Sequence, residues 1–417
     1  MTSNLSFEWL EKLSLAAILA SFVFNLRSVF TVRFTPEAMG KEYESFLHGG
    51  SFFSDDKLYA WAGWLYVHGH PPNEVNFEHP PLAKYFIGLS EIFFINHSLL
   101  SFILSILTLV TAYFLSKMLI KSKFFPVLPI LLLSLDKLYV TFSSVSMLDI
   151  YMVFFSTLSI ATFVKSLEDR RFAPLVYVLI GLAVACKWTG VFTLFSVLAY
   201  CLWRRDRWNL RFAPLGVLLA VMAYSSTYIT FFLTGHGFKD FVSLQIQMLK
   251  FQHFMRFERG TPPPLWILLH LLTGVEGPTQ MATVQITDGA QMLIKTLDVR
   301  YGLSMVKAYN PFTWPLTFSA SIMSLYYAWK RKNLHFAVIP MSFFALITLT
   351  STGQVFVWYI LPALPFGFIA IAYFLESVYL EAKNRKIAGS LISAYTFICA
   401  AWSLLVEVPS FIPFPHR

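Results

Sequence analysis

Four short stretches of this 417-residue chain carry side chains able to do chemistry, and they lie far apart along it. The first is Asp55-Asp56, directly after Ser54. The second, Glu78-His79-Pro80-Pro81-Leu82-Ala83-Lys84, sets an acid, an imidazole and an ammonium around a stiff turn. The third is Ser146-Met147-Leu148-Asp149 and the fourth Lys187-Trp188-Thr189-Gly190. Carboxylates can remove protons from hydroxyls or orient them, and cations can hold a departing anion. Each stretch also has a plainer reading. A serine before two acids is what a helix N-terminus favours, and Ser-x-x-Asp resembles a capping box. The proline pair can simply open a helix, and a lysine at a helix end can snorkel to lipid headgroups.

The elements that must position these residues are written in the composition. The chain is 56% hydrophobic, 18% aromatic and 13% charged, with 43 phenylalanines. Soluble domains carry roughly 25% charged residues, so this one cannot cover itself with polar surface and lipid is its natural solvent. The net charge of +9 does not indicate nucleic acid, because the basic residues recur in short clusters between apolar runs. Cys186, Cys201 and Cys399 all fall in apolar segments, without metal or disulfide spacing. The first apolar run lacks a basic leader and a cleavage site, so it reads as a retained span.

A span needs roughly 20 apolar residues. Runs lie at 13–32, 98–116, 124–142, 147–164, 172–203, 212–233, 311–328, 335–350, 354–379 and 388–406. The run at 172–203 would reach about 48 Å as one helix, so it must break, and Lys187-Trp188-Thr189-Gly190 is the place. This gives an all-α polytopic membrane protein of about eleven spans in a single domain, 1–417. Five basic clusters, at 117–123, 165–171, 204–211, 330–332 and 383–386, then fall on one side. The positive-inside rule makes that side cytoplasmic, with the N-terminus inside and the C-terminus outside. The stretch 80–95 must be an interfacial helix, or the first cluster would land outside. The other face receives a loop at 33–97, short turns at 143–147, 187–190 and 351–353, and a long segment at 234–310. That segment includes an apolar stretch, 264–274, expected in the interface. Long loops of this kind are commonly functional. No phosphate-cradling glycine loop is present, which argues against a nucleotide cofactor.

The ordered set Asp55-Asp56, Glu78 to Lys84, Met147-Leu148-Asp149 and Lys187 to Gly190 resembles the protein O-mannosyltransferase family. So do Leu244-Gln245 with Met248, Asn310-Pro311, and Trp358-Tyr359-Ile360-Leu361-Pro362. The Glu-x-Pro-Pro-Leu piece is also similar to aminoarabinose transferases. The resemblance covers about residues 50–370 and implies the GT-C glycosyltransferase fold. It departs from the family in having Asp56 where Glu is usual and in showing no arginine around Asn96 to Ser101. With no room for an inserted β-trefoil, the chain looks like a compact prokaryotic, archaeal form, integral to the cell membrane with its site on the extracytoplasmic face.

What the resemblance implies is specific. The donor is a sugar on a polyprenyl or dolichyl phosphate, and the acceptor a Ser or Thr hydroxyl of an exported protein received by 234–310. Asp55 would be the base. Asp56 and Asp149 would orient the acceptor, and Asp55 with Asp149 could hold a divalent cation, Mg²⁺ or Mn²⁺. His79, Lys84 and Lys187 would face the donor phosphate, with Glu78 and Gln245 in support. Direct displacement implies inversion at the anomeric carbon. Two other readings stand beside it: transfer to a glycolipid or envelope glycan, and a transporter or flippase, for which Asp136-Lys137 within a span would be the working charges.

Overall fold

The computed structural model describes residues 2–48, 53–253, 266–275, 280–288, 291–301, 308–350 and 356–405. Every apolar run of the sequence is helical. The first forms α1 (Thr2–Asn25), and the first outer loop folds as α2 (Pro36–Leu47), α3 (Asp55–Val67) and α4 (Leu82–Phe94). Then follow α5 (Leu99–Leu119), α6 (Leu128–Leu135), α7 (Lys137–Ser143), α8 (Leu148–Ser166), α9 (Ala173–Cys186), α10 (Phe192–Arg204), α11 (Arg207–Ser226) and α12 (Ile229–Leu233). The long outer segment supplies α13 (Phe238–His253), α14 (Trp266–Thr273) and an antiparallel hairpin, β1 (Gln280–Asp288) with β2 (Gln291–Tyr301). The chain continues as α15 (Trp314–Lys330), α16 (Val338–Thr350), α17 (Leu364–Glu381) and α18 (Arg385–Leu405). The hairpin is an addition to a fold expected to be wholly helical. The expected turn at 351–353 lies outside the described residues.

By length and composition, α5, α8, α18 and the stretch Val357–Glu381 containing α17 can each cross a membrane. The α6–α7 pair, bent by 67°, makes a fifth. The bend falls at Asp136, which caps α7 by accepting from the Tyr139 N–H (3.0 Å) and accepts from the Trp314 indole of α15 (2.7 Å). Asp136 is therefore a satisfied brace between distant helices. The long run at 172–203 breaks at Lys187 into α9 and α10, as its length requires. Gly190 makes the reversal possible, because a Cβ there would lie 2.5 Å from the Ala183 carbonyl carbon. The apolar stretch α14 turns Ile267 and Leu271 into the main core and leaves Leu269 and Leu272 exposed.

The two ends of the bundle differ. At one, the basic clusters meet: Lys117 pairs with Glu11 at 3.2 Å, and the Ser122 N–H donates to Glu376 at 2.7 Å. There Asn333 donates to the Leu119 carbonyl (2.8 Å), Lys330 pairs with Glu381 (2.8 Å), and Arg170 lies 5.0 Å over the Trp208 ring. The other end gathers α3, α4 and the 144–148 and 187–191 turns. Between them Leu107 and Phe114 of α5, Leu218 and Val221 of α11, and Leu391 and Phe397 of α18 face outward. Such an exposed apolar band suits lipid, not water. The chain is a multi-pass membrane protein.

Candidate active site

The first outer loop is held rigidly before any acid is placed. Helices α3 and α4 touch backbone to backbone, since a Cβ on Gly63 would lie 2.6 Å from the Lys84 carbonyl oxygen. The connecting loop wraps Lys84, a fully buried lysine. Its ammonium donates to the Asn76 carbonyl (2.5 Å), Asn76 Oδ1 (2.9 Å) and the His79 carbonyl (2.9 Å), and lies 3.3 Å from the Tyr66 hydroxyl. Asn76 can offer both oxygens because it adopts a left-handed backbone (φ 50°), which asparagine tolerates. With its three donors so occupied, Lys84 braces the loop. Burial lowers the pKa of this ammonium and raises that of the neighbouring Glu78 carboxyl, while each charge opposes the other's shift. Glu78 accepts from the Asn76 amide (2.6 Å), and its carbonyl accepts from Gln252 of α13 (3.0 Å).

The bland readings of the other acids give way to contacts between segments. Ser54 makes no side-chain cap at α3. Ser146 does not cap α8; its hydroxyl donates to the Asp56 carbonyl at 2.8 Å, tying the start of α3 to the start of α8 across 90 residues. Asp149, one turn further on, receives Lys187 on both oxygens, at 2.8 and 2.9 Å. Lys187 is 11% exposed and Asp149 3%, so the lysine does not snorkel to headgroups. Its ammonium also lies 5.3 Å from the Tyr359 ring centroid.

Asp55 completes the group. Its side chain keeps open surface at the first turn of α3. The carboxyl is pushed up to about 6, by desolvation and then by the charges of Asp56, Glu78 and Asp149, with Lys187 opposing. His79 is half-buried, its ring edge-on to Tyr59 at 5.9 Å. A divalent cation fits this arrangement poorly. Both Asp149 oxygens already hold an ammonium, and among the described residues no three acid, imidazole or thiol groups converge as ligands.

Gln245 lies behind this group rather than in it. The Trp188 indole donates to the Tyr224 hydroxyl (3.0 Å), which donates to Gln245 Oε1 (2.5 Å), so the 187–190 turn is tied to α13. Three residues of the site were not among the sequence candidates. Tyr59 lies one turn after Asp55, a spacing that puts both on one helix face. Tyr359 falls within a motif noted only as a match. His97 stands within electrostatic reach of Asp56, in the region where an arginine was expected; no sequence pattern marks it.

Comparison with known proteins follows the same line. The family model for dolichyl-phosphate-mannose-protein mannosyltransferase matches residues 92–235. The fold is that of GT-C glycosyltransferases. ArnT from Cupriavidus metallidurans bound to undecaprenyl phosphate superposes with a TM-score of 0.55 at 14% identity, over 95% of this chain and 70% of that one. The S. cerevisiae protein O-mannosyltransferase Pmt1-Pmt2 complex bound to the sugar donor gives 0.55 at 11%, over 94% and 89%. The archaeal oligosaccharyltransferase AglB from Archaeoglobus fulgidus, in complex with an inhibitory peptide and a dolichol-phosphate, gives 0.53 at 16%, over 95% and 56%. The chain spans only 57% of apo ArnT. No curated protein matches the sequence.

Proposed function

We propose, from the mannosyltransferase family match and the GT-C fold as premises, that this chain is an inverting glycosyltransferase. It moves a sugar, mannose in the first instance, from a polyprenyl phosphate to a Ser or Thr hydroxyl of an exported protein, on the extracytoplasmic side of a prokaryotic membrane. The observation that carries the reading is Asp55 within electrostatic reach of the buried Asp149–Lys187 pair. A carboxylate with its pKa near 6 is still charged at neutral pH and basic enough to take a proton from the attacking hydroxyl. A phosphate leaving group needs positive charge rather than an acid. Lys187 has three N–H donors and gives two to Asp149, which leaves one for an anionic oxygen. Asp56 and His79 line the approach. One base on one face means a single displacement, hence inversion. The polyprenyl tail stays in lipid, which explains why the site sits at a membrane end of the bundle.

For the acceptor, a hollow bounded by Asn73, Phe77, His236, Asp240, Ser243 and Gln247 offers amides and a hydroxyl that suit a peptide backbone. The likeness to ArnT favours a second reading, with a glycolipid as acceptor. Purified full-length chain supplied with radiolabelled dolichyl-phosphate mannose, a Ser/Thr-rich peptide and a glycolipid, with and without EDTA, separates the two. Label in the peptide, unchanged by EDTA, is expected. Label only in the glycolipid would transfer the function to the second reading, and label in neither would end both.

A further inference from the structure

The hollow between α13 and the α3–α4 loop carries a chemical preference of its own. It measures about 210 Å³, and two distant segments are locked around it. The loop supplies Asn73 and Phe77; α12, α13 and the turn between them supply Phe231, His236 and Asp240. Gln252 of α13 donates to the Glu78 carbonyl at 3.0 Å, and Phe77 meets the Phe251 ring edge-on at 5.7 Å. The His236 ring lies flat on Phe231, with centroids 4.3 Å apart. The polar groups of this preformed hollow ask for donors and for positive charge. Asn73 Oδ1 is buried and has no hydrogen-bond partner, whereas an amide oxygen shut away from water normally has one. Asp240 brings a carboxylate, whose Oδ2 accepts from the Gly237 N–H at 2.8 Å. Among the described residues that line the hollow, none is lysine or arginine. A phosphate entering it would meet an unsatisfied acceptor and an anion. A neutral sugar would satisfy Asn73 but gain nothing from the Asp240 charge. A basic side chain satisfies both, and its apolar stem suits Phe77.

We infer that this hollow is a specificity subsite that takes a lysine or arginine side chain of the acceptor polypeptide. This rests on the protein-acceptor reading above and narrows it. Reach along the loop sets the spacing. Phe77 precedes His79 by two residues, the His79 ring lies 5.9 Å from Tyr59, and Tyr59 follows Asp55 by one turn of α3. Those steps cover about 20 Å of protein, a length that about six extended residues span. The basic residue therefore stands within about six positions of the Ser or Thr that receives the sugar.

The test uses purified full-length protein and fluorescent peptides with a single threonine, differing only in Lys, Gln or Glu about five positions from it. Direct binding and transfer from dolichyl-phosphate mannose are both measured. The Lys peptide should bind about tenfold tighter than the Glu peptide, with Gln between them. Its advantage in transfer should lie in KM and not in kcat. Asp240→Asn keeps an oxygen for the Gly237 N–H and should shrink the Lys-over-Gln preference to about twofold or less. Equal binding of the three peptides by wild-type protein overturns the assignment, as does a Lys preference that Asp240→Asn leaves intact. A mannose-bearing peptide that binds tighter than the Lys peptide, and loses that advantage in Asn73→Ala, gives the hollow to a glycan and likewise overturns it. The wild-type peptide series needs no variant, so a misfolded Asp240→Asn protein leaves it decisive. Lys-selective binding without transfer to any peptide would count against the transferase reading alone, and transfer without Lys selectivity against this subsite alone.

Discussion

At the scale of residues, the site is a balance of like charges around one buried ion pair. Asp55 must be ionised to work, and its carboxyl stands at about 6 through desolvation first and then through the charges of Asp56, Glu78 and Asp149. Turnover should therefore be flat above that pH and fall about tenfold per unit below it. Asp56→Asn removes one like charge, so the acid limb should move to lower pH in a kcat–pH profile. A limb that stays in place would remove Asp56 from this role. The Asp149–Lys187 pair makes a separate demand. Lys187→Met leaves a carboxylate unpaired at 3% exposure, and breaking a buried pair from one side costs about 3–5 kcal/mol. Thermal unfolding in detergent should show that loss, and adding Asp149→Asn should recover most of it. Recovery of stability without recovery of transfer would separate the structural and chemical parts of the pair.

At the scale of elements, the helix breaks do the positioning. The sequence made one of them legible. The 172–203 run was too long for one span, and Lys187 to Gly190 was the polar interruption within it. The bend in the 124–142 run was not legible. Asp136-Lys137 looked like a charge pair inside a span and suggested transport, whereas Asp136 caps α7 and accepts from Trp314, 178 residues away. No local pattern announces a partner at that distance. Asp136→Leu should cost about 1–3 kcal/mol of stability from the lost cap and the stranded indole. The folded fraction should still transfer sugar at the wild-type rate, as thermal unfolding followed by assay will show. The bracing contacts of Lys84 were not legible for a related reason. Its motif made it look like a phosphate ligand, but the left-handed Asn76 turn that folds over it depends on tertiary contacts. The β hairpin in the outer segment likewise left no alternation strong enough to read beside the apolar runs.

At the scale of the whole molecule, five basic clusters predicted one common side, and the contacts of Glu11, Ser122, Asn333 and Arg170 gather them at one end. The catalytic candidates gather at the other, because Ser146 reaches the Asp56 carbonyl and Lys187 reaches Asp149. Charge arithmetic along the chain sufficed for this division; the partners within each end did not follow from it. Cysteines placed at Lys57 and Val145 on a cysteine-free background should both react with an impermeant maleimide applied outside cells, and one at Ser122 only after permeabilisation. Opposite-sided labelling of the first two would dissolve the site. The central claim is that Asp55 is the base of a transfer performed by this assembled end. It is tested most directly by the rate at which purified Asp55→Asn and wild-type chains move mannose from dolichyl-phosphate mannose to peptide. With both proteins equally folded, the account predicts a loss of about a hundredfold or more, and equal rates would contradict it.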